Sequence, residues 1–142
     1  MISIVDTDLL IGLIDPKDAL HKRTKQIVDS LSEYNADIIL LPTTLGEFVT
    51  LATIRIGKTK TQQAVERIVI EKRYMHFDIT ERIRNDGLLL YLSQTSKENS
   101  LFDCFVMVVA KHIHADFILS FDKGYTKNGF LLASDFVQKI KN

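Results

Sequence analysis

Short apolar runs alternate with longer amphipathic segments along this chain of 142 residues, and no other feature restricts its fold as strongly. A short apolar run bounded by polar residues suits a buried strand, whereas apolar residues at helical spacing indicate a surface helix. Strands that alternate with helices form βαβ units, in which the strands pair in parallel and helices cover both faces of the sheet. The sequence therefore predicts an α/β protein.

The predicted elements cover most of the chain. The predicted strands are residues 2–5, 38–41, 74–79, 117–121 and 130–132, and the predicted helices are residues 7–14, 19–34, 43–56, 58–72, 80–96, 100–114 and 134–140. The helix at 100–114 carries apolar residues on nearly every face, which indicates that it lies in the core. No repeat or linker-like segment divides the chain, so we expect a single domain over residues 1–142.

Four carboxylates lie at the ends of these predicted elements. Asp6 and Asp122 each follow an apolar strand, whereas Glu47 and Asp103 lie near the start of a helix. Ligands of open α/β sheets bind beyond the carboxyl ends of the strands, so we expect the four acids to meet there. Carboxylates at close range repel one another, and Mg²⁺ or Mn²⁺, which prefer oxygen ligands, would relieve that repulsion. The pattern predicts a divalent-metal site.

Each of these acids also has an ordinary structural explanation. Glu47 and Asp103 each stand three residues after a Thr or Ser, which matches a helix capping box. Asp6 and Asp122 could cap the elements that follow their strands. A capping acid can still offer an oxygen to a metal, so the two interpretations are compatible. Asp8 is a fifth acid, for which a metal ligand, a helix cap and a residue that orients the metal ligands are all compatible with the sequence; we favour the last two.

The charge of the chain bears on whether it binds nucleic acid. The 18 basic and 18 acidic residues leave no net charge, so the protein lacks an overall positive field that would attract nucleic acid. Residues 55–73 nevertheless carry a net charge of +4, and residues 1–20 carry −3.

The only cysteine, Cys104, lies in an apolar run and is expected to be a buried, unreactive thiol. It allows no intrachain disulfide, which is compatible with a reducing cytosol.

The sequence gives no sign of a membrane protein. No stretch is long and apolar enough to span a bilayer, and the first residues lack the basic region of a secretory signal. We expect a cytoplasmic protein with no membrane partner.

Four segments, in this order, resemble the motifs of the PIN-domain family. They are Ile-Val-Asp6-Thr-Asp-Leu-Leu-Ile, Leu-Pro-Thr-Thr-Leu-Gly-Glu47-Phe, Leu-Phe-Asp103-Cys-Phe-Val-Met-Val-Val-Ala and Ala-Asp-Phe-Ile-Leu-Ser120-Phe-Asp122-Lys-Gly-Tyr. The resemblance implies a three-layer α/β/α fold with a short, mostly parallel central sheet. It also matches Asp6, Glu47, Asp103 and Asp122 to the family's acidic positions.

Two neighbouring positions complete the comparison with the family. Ser120 matches a small hydroxyl residue that stands two positions before the last acid. The family usually has Asn, Ser or Thr two positions after the first acid, whereas this chain has Asp8. The local geometry around the metal is therefore where this chain is expected to differ from its relatives.

The resemblance also implies an activity. It points to a divalent-metal-dependent endoribonuclease that cleaves single-stranded RNA and leaves a 5′-phosphate and a 3′-hydroxyl. Compact chains of this length resemble the toxins of VapBC-type, or type II, toxin–antitoxin pairs, which form homodimers and are blocked by a small antitoxin protein. Candidates for contacts with the RNA backbone are Lys58, Lys60, Lys123 and Lys127.

Two other functions are compatible with the sequence. Asp6-Thr7-Asp8 after a strand also resembles the signature of haloacid-dehalogenase-like phosphatases, although Leu10 occupies the position where that signature has Thr or Val. The second alternative is a catalytically silent PIN-like module that binds RNA or another protein.

Overall fold

A parallel sheet of four strands forms the centre of the molecule. The computed structural model describes residues 1–95 and 97–141. The strands are β1 (Ile2–Val5), β2 (Asp37–Leu40), β3 (Tyr74–His76) and β4 (Phe117–Leu119). They lie in the order β3-β2-β1-β4, and every neighbouring pair is parallel. The carboxyl ends of β1 and β4 therefore lie side by side.

Helices cover both faces of this sheet. In chain order they are α1 (Thr7–Ile14), α2 (His21–Ser32), α3 (Pro42–Ile56), α4 (Lys58–Ile70), α5 (Glu81–Ser93), α6 (Leu101–His112), α7 (Lys123–Lys127) and α8 (Ala133–Lys141). Successive strand residues point to opposite faces. Ile4 and Ile118 pack with α5 and α6, whereas Val5 and Leu119 pack with α1 to α4 and α8. The three-layer α/β/α prediction is confirmed.

The nearly apolar helix α6 lies in the core, as its sequence predicts. Cys104 and Val109 are completely inaccessible to solvent, and most of their neighbours along the helix are buried. Burial, followed by the nearby charge of Asp103, raises the pKa of the Cys104 thiol. The thiol therefore stays protonated and unreactive, in agreement with the prediction.

Several boundaries differ from the sequence prediction. The second helix begins at His21 instead of residue 19, because the side chains of Asp15 and Asp18 accept backbone N–H groups and form turns. The third strand ends at His76, before the predicted residue 79. The helix predicted over residues 80–96 covers Glu81–Ser93, and its predicted last residue lies outside the described residues.

The segment after β4 differs most from the prediction. The strand predicted over residues 130–132 is reduced to one parallel bridge, between Leu132 and Ile118. The short helix α7 was not predicted; it begins where the Asp122 carboxylate accepts the N–H of Gly124. Among the residues that the structure describes, no helix is long and apolar enough to cross a membrane.

Candidate active site

Asp6 is the most deeply placed acid at the carboxyl edge of the sheet. It follows β1 directly, and its backbone N–H donates to the carbonyl of Leu119 in β4 at 3.1 Å. Its Oδ1 accepts the N–H of Thr7 at 2.7 Å, and its Oδ2 accepts the Tyr125 hydroxyl at 2.8 Å. Only 7% of Asp6 is exposed. Burial, followed by the charge of Asp8, raises its pKa to about 7.

Asp8 joins the start of α1 to the loop that follows β4. Its Oδ2 accepts the Ser120 hydroxyl at 2.9 Å and the N–H of Phe121 at 2.7 Å. Its Oδ1 is buried without a hydrogen-bond partner among the described residues. Burial raises the pKa of this carboxyl as well. Asp8 does not cap α1, because Asp6 is the N-cap residue of that helix.

Ser120 lies between these two carboxylates. Its Oγ is 2.9 Å from Asp8 Oδ2 and 3.3 Å from Asp6 Oδ2. A hydroxyl carries one proton, so the shorter contact is the donated bond and the longer one is an alternative. The same Oγ accepts the N–H of Asp122 at 3.0 Å. Ser120 thereby connects the first acid of the site to the last.

Asp103 caps α6 and still has one carboxylate oxygen free of the cap. Its Oδ2 accepts the N–H of Ser100 at 2.6 Å, and the Ser100 hydroxyl accepts the N–H of Asp103 at 3.2 Å. This is a complete capping box, so the structural prediction for Asp103 is confirmed. Its other oxygen, Oδ1, lies 3.3 Å from the Tyr125 hydroxyl, which also contacts Asp6. The capping acid therefore still faces the acidic site.

Asp122 is the exposed member of the group. Its Oδ1 accepts the N–H of Gly124 at 2.7 Å, which makes it the N-cap of α7. Gly124 leaves no room for a side chain beside it, because a Cβ built there would lie 3.1 Å from Asp122 Oδ1 and 2.6 Å from Asn99 Oδ1. Asn99 is buried, and its Oδ1 has no hydrogen-bond partner within the described part of the chain. The close packing at Gly124 thus fixes where Asp122 lies.

Glu47 is less closely joined to the site than the sequence suggests. The structure describes no hydrogen bond or ion pair of its side chain with another described residue. The capping box expected at Thr44 and Glu47 is wrong, because α3 begins at Pro42 and both residues lie inside the helix. Thr44 does lie near the acidic edge, the carboxyl edge of the sheet where Asp6, Asp8, Asp103 and Asp122 lie, since its carbonyl is 3.5 Å from the Thr7 hydroxyl. Glu47 stands one turn further along, on the same side of α3.

The four candidate lysines divide into two groups. Lys123 follows Asp122 directly and is exposed, and Lys127 binds Glu98, with its Nζ 2.8 Å from either carboxylate oxygen. Lys58 and Lys60 are exposed at the start of α4. Lys60 lines a groove together with Ile14, which lies at the opposite end of α1 from Asp6. Of the four, Lys123 is the one that lies beside an acid of the site.

The acidic site suits a hard divalent cation in its chemistry. In the described residues no Lys, Arg or His forms an ion pair with Asp6, Asp8, Asp103 or Asp122. The buried Oδ1 of Asp8 lacks a partner, and burial, followed by the charges of Asp8 and Asp103, raises the pKa of Asp6. No set of three or more acidic, His or Cys side chains within the described ranges already has metal-binding geometry. The donors fit Mg²⁺ or Mn²⁺, and the carboxylates would have to move together to bind it.

Comparison with known proteins places the fold in a family. The sequence model of the PIN domain matches residues 3–131. The chain belongs to the PIN-domain family. The phosphatase alternative, which rested on Asp6-Thr7-Asp8, loses its support, because those residues fall within the matched PIN region. A sequence search against curated proteins gave no match.

Solved structures share the fold over almost the whole chain. The toxin VapC20 of Mycobacterium tuberculosis, which cleaves the sarcin–ricin loop, has a TM-score of 0.82 at 20% identity, covering 91% of this chain and 96% of VapC20. VapBC2 of Rickettsia felis, bound to a promoter DNA fragment, has a TM-score of 0.69 at 15% identity and covers 93% and 96%. VapBC-1 of nontypeable Haemophilus influenzae has a TM-score of 0.62 at 18% identity and covers 99% and 93%.

Sequence reasoning missed two residues of this site, Tyr125 and Asn99. Tyr125 is 1% exposed, and its hydroxyl contacts Asp6 and Asp103. Burial and these carboxylates raise the pKa of the phenol, so its hydroxyl remains a proton donor. A tyrosine close after Asp122 was the available signal, because a buried phenol needs a polar partner. Asn99 had no such signal, since its place depends on the packing against Gly124.

The packing at Gly124 allows a test of how tightly Asp122 is held. Gly124→Ala would press a methyl group against Asn99 Oδ1 and Asp122 Oδ1, so we expect a loss of roughly 1–3 kcal/mol of stability and weaker activity. Gly46→Ala is the matched control, because no atom lies within 4 Å of its Cβ and Ala favours the helix by about 1 kcal/mol. Chemical denaturation measures both. An equal gain in stability for the two variants would contradict the tight packing.

Proposed function

We propose that this protein is a divalent-metal-dependent endoribonuclease that cleaves single-stranded RNA, and that it is the toxin of a type II toxin–antitoxin pair. The observation that carries the proposal is the convergence of Asp6, Asp8 and Asp103 around Ser120 and Tyr125, with no cation paired to them among the described residues. Buried carboxylates without a cationic partner are costly, which favours a site made to receive a metal.

Family membership and shared fold support this assignment. The PIN domain covers nearly the whole chain, and the structures similar in fold include a toxin described as cleaving the sarcin–ricin loop. Others are VapBC complexes, in one case with promoter DNA, and FitAcB of Neisseria gonorrhoeae has the same fold at a TM-score of 0.54. These relatives favour a toxin with a small antitoxin partner and a cytoplasmic RNA substrate.

Each residue of the acidic edge has a distinct role in this proposal. Asp6, Asp103 and Asp122 would hold Mg²⁺ or Mn²⁺, with Glu47 completing the set after a side-chain movement. The bound metal would activate water and stabilise charge on the scissile phosphate. Asp8 and Ser120 orient the loop that carries Asp122. Because Asp122 is exposed, the site is open enough to receive an unstacked strand of RNA.

The basic and apolar surfaces suggest where partners would bind. Lys123, beside Asp122, is the foremost candidate for a contact with the RNA backbone, and Lys127, Lys58 and Lys60 are weaker ones. Leu89 and Leu92 on α5 are 66% and 77% exposed, and exposed apolar side chains of this size favour protein–protein contacts. They support the expectation of a homodimer in solution.

The direct test is cleavage of labelled single-stranded RNA by the purified, partner-free protein. With Mn²⁺ we expect cleavage that leaves 5′-phosphate ends, and with EDTA we expect none, because the carboxylates alone cannot activate water. Double-stranded RNA of the same sequence is the matched substrate control. Cleavage that persists in EDTA would refute the metal mechanism. A failure to bind Mn²⁺ by calorimetry would favour a catalytically silent PIN-like module.

A further inference from the structure

Tyr125 is the one residue described here whose side chain contacts both Asp6 and Asp103. Its hydroxyl lies 2.8 Å from Asp6 Oδ2 and 3.3 Å from Asp103 Oδ1. Asp6 follows β1, Asp103 lies in the first turn of α6, and Tyr125 belongs to α7. Three elements that are distant in sequence therefore meet at one phenolic oxygen.

The remaining oxygens of these two carboxylates are held by backbone groups. Asp6 Oδ1 accepts the N–H of Thr7, and Asp103 Oδ2 accepts the N–H of Ser100. A carboxylate that is hydrogen-bonded through one oxygen can still rotate about that hydrogen bond. A second hydrogen bond, to its other oxygen, fixes the plane of the carboxylate. The Tyr125 hydroxyl makes the shortest side-chain contact with Asp6 Oδ2, where Ser120 Oγ lies further away at 3.3 Å, and its contact with Asp103 Oδ1 is the longer alternative for the same proton.

The position of the tyrosine ring makes this support rigid. Tyr125 has 1% of its surface exposed and packs in the core with residues of α6, β1 and β4. A buried ring cannot follow a moving carboxylate, so its hydroxyl keeps a fixed place within reach of both acids. The hydroxyl has one proton, and the shorter contact gives that proton to Asp6.

We propose that Tyr125 is a positioning residue for metal binding, whose hydroxyl keeps the Asp6 and Asp103 carboxylates turned toward each other, so that a divalent cation has less reordering to do when it binds. The inference rests on the proposed function, since it concerns the same acidic site. Removing the hydroxyl leaves two neighbouring carboxylates free to rotate apart under their mutual repulsion. Binding must then reorder both, and loss of such a partner behind a metal ligand lowers metal affinity by roughly 10- to 100-fold.

An opposite effect of the Tyr125 hydroxyl on metal binding is distinguishable by experiment. If the hydroxyl instead occupied the space that the cation needs, its removal would tighten metal binding. The probe is Mn²⁺ alone, titrated by calorimetry into the metal-free, full-length protein and its Tyr125→Phe variant. We expect the variant to bind Mn²⁺ about 10- to 100-fold more weakly. Equal or tighter binding by Tyr125→Phe would overturn the proposal.

Tyr34→Phe is the matched control, because Tyr34 is 39% exposed and lies in the turn after α2. It should bind Mn²⁺ as the unaltered protein does. If the unaltered protein binds Mn²⁺ and Tyr125→Phe binds equally well, the inference fails and the proposed function stands. If the unaltered protein binds no Mn²⁺, both fail.

A second measurement separates positioning from a loss of fold. RNA cleavage by Tyr125→Phe should need a 10- to 100-fold higher Mn²⁺ concentration for half-maximal rate and should approach the normal rate when Mn²⁺ saturates. A misfolded variant would not recover at any Mn²⁺ concentration. A depressed rate that saturating Mn²⁺ does not restore, in a variant whose thermal unfolding is normal, would overturn the positioning role.

Discussion

Asp103→Asn should lower metal-dependent RNA cleavage by at least about 100-fold while the protein keeps its fold. Loss of a residue behind a metal ligand already costs roughly 10- to 100-fold, and loss of a ligand's charge should cost more. Asn keeps one carbonyl oxygen, which can still accept the N–H of Ser100 and preserve the cap of α6. A cleavage assay at saturating Mn²⁺, with chemical denaturation of the same sample, measures both effects.

Ser100→Ala separates the capping role of Asp103 from its role as a ligand. This variant removes the hydroxyl that accepts the N–H of Asp103 and leaves the carboxylate in place. We expect a loss of about 1 kcal/mol of stability and near-normal cleavage. If Asp103→Asn instead lost stability and kept its activity, Asp103 would be a cap alone, and the assignment of the acidic site would be wrong.

The stability of the metal-free protein should fall as the pH rises from about 4 to about 7. The pKa of Asp6 is raised from 3.8 to about 7, mainly by burial, so in this window the folded state holds a proton that the unfolded state has released. Stability falls with pH wherever the folded state binds more protons. A shift of this size corresponds to at most about 4 kcal/mol, all of it lost once the pH exceeds the folded pKa.

Mn²⁺ should oppose this loss of stability at higher pH, because a cation binds the ionised form of Asp6. Urea denaturation at pH 5 and pH 7.5 should show a larger stabilisation by Mn²⁺ at the higher pH. Asp6→Asn removes one of the two buried carboxyls whose pKa is raised, so it should reduce the pH dependence of the metal-free protein and leave the part due to Asp8, whereas the exposed Asp29→Asn should retain the full dependence. A metal-free stability that is constant or rises over this range would contradict the prediction.

The fold and part of the site could be predicted from the sequence because local patterns determine them. The apolar run before Asp6 and the nearly apolar helix that contains Asp103 carry their periodicity in adjacent residues. The capping box at Ser100 and Asp103 is likewise a local signal, and the structure confirms it. Of the four acids predicted to meet at the carboxyl edge, Asp6, Asp103 and Asp122 are connected through Ser120 and Tyr125, whereas Glu47 has no contact with them among the described residues. Asp8 is connected to the same edge through Ser120.

The features that the sequence did not reveal depend on tertiary contacts. Pro42 at the first turn of α3 moved the start of that helix and removed the capping box expected at Glu47. The helix α7 is too short to show a periodicity and exists because Asp122 caps it. The role of the Tyr125 hydroxyl depends on two residues that lie 119 and 22 positions earlier in the chain. A contact between residues so far apart in the chain leaves no local pattern in the sequence.

The distance along the chain between Asp6 and Tyr125 has a consequence for synthesis. The contacts of Asp6 with Ser120 and Tyr125 span 114 and 119 positions, and β4 pairs with β1 across a similar separation. An emerging polypeptide presents Asp6 early, but its acidic neighbours cannot gather until translation has passed residue 125. A ribosome that releases its product early would therefore release a fragment without an assembled acidic edge. Assembly of the acidic edge therefore waits until the ribosome has translated residues 120–125.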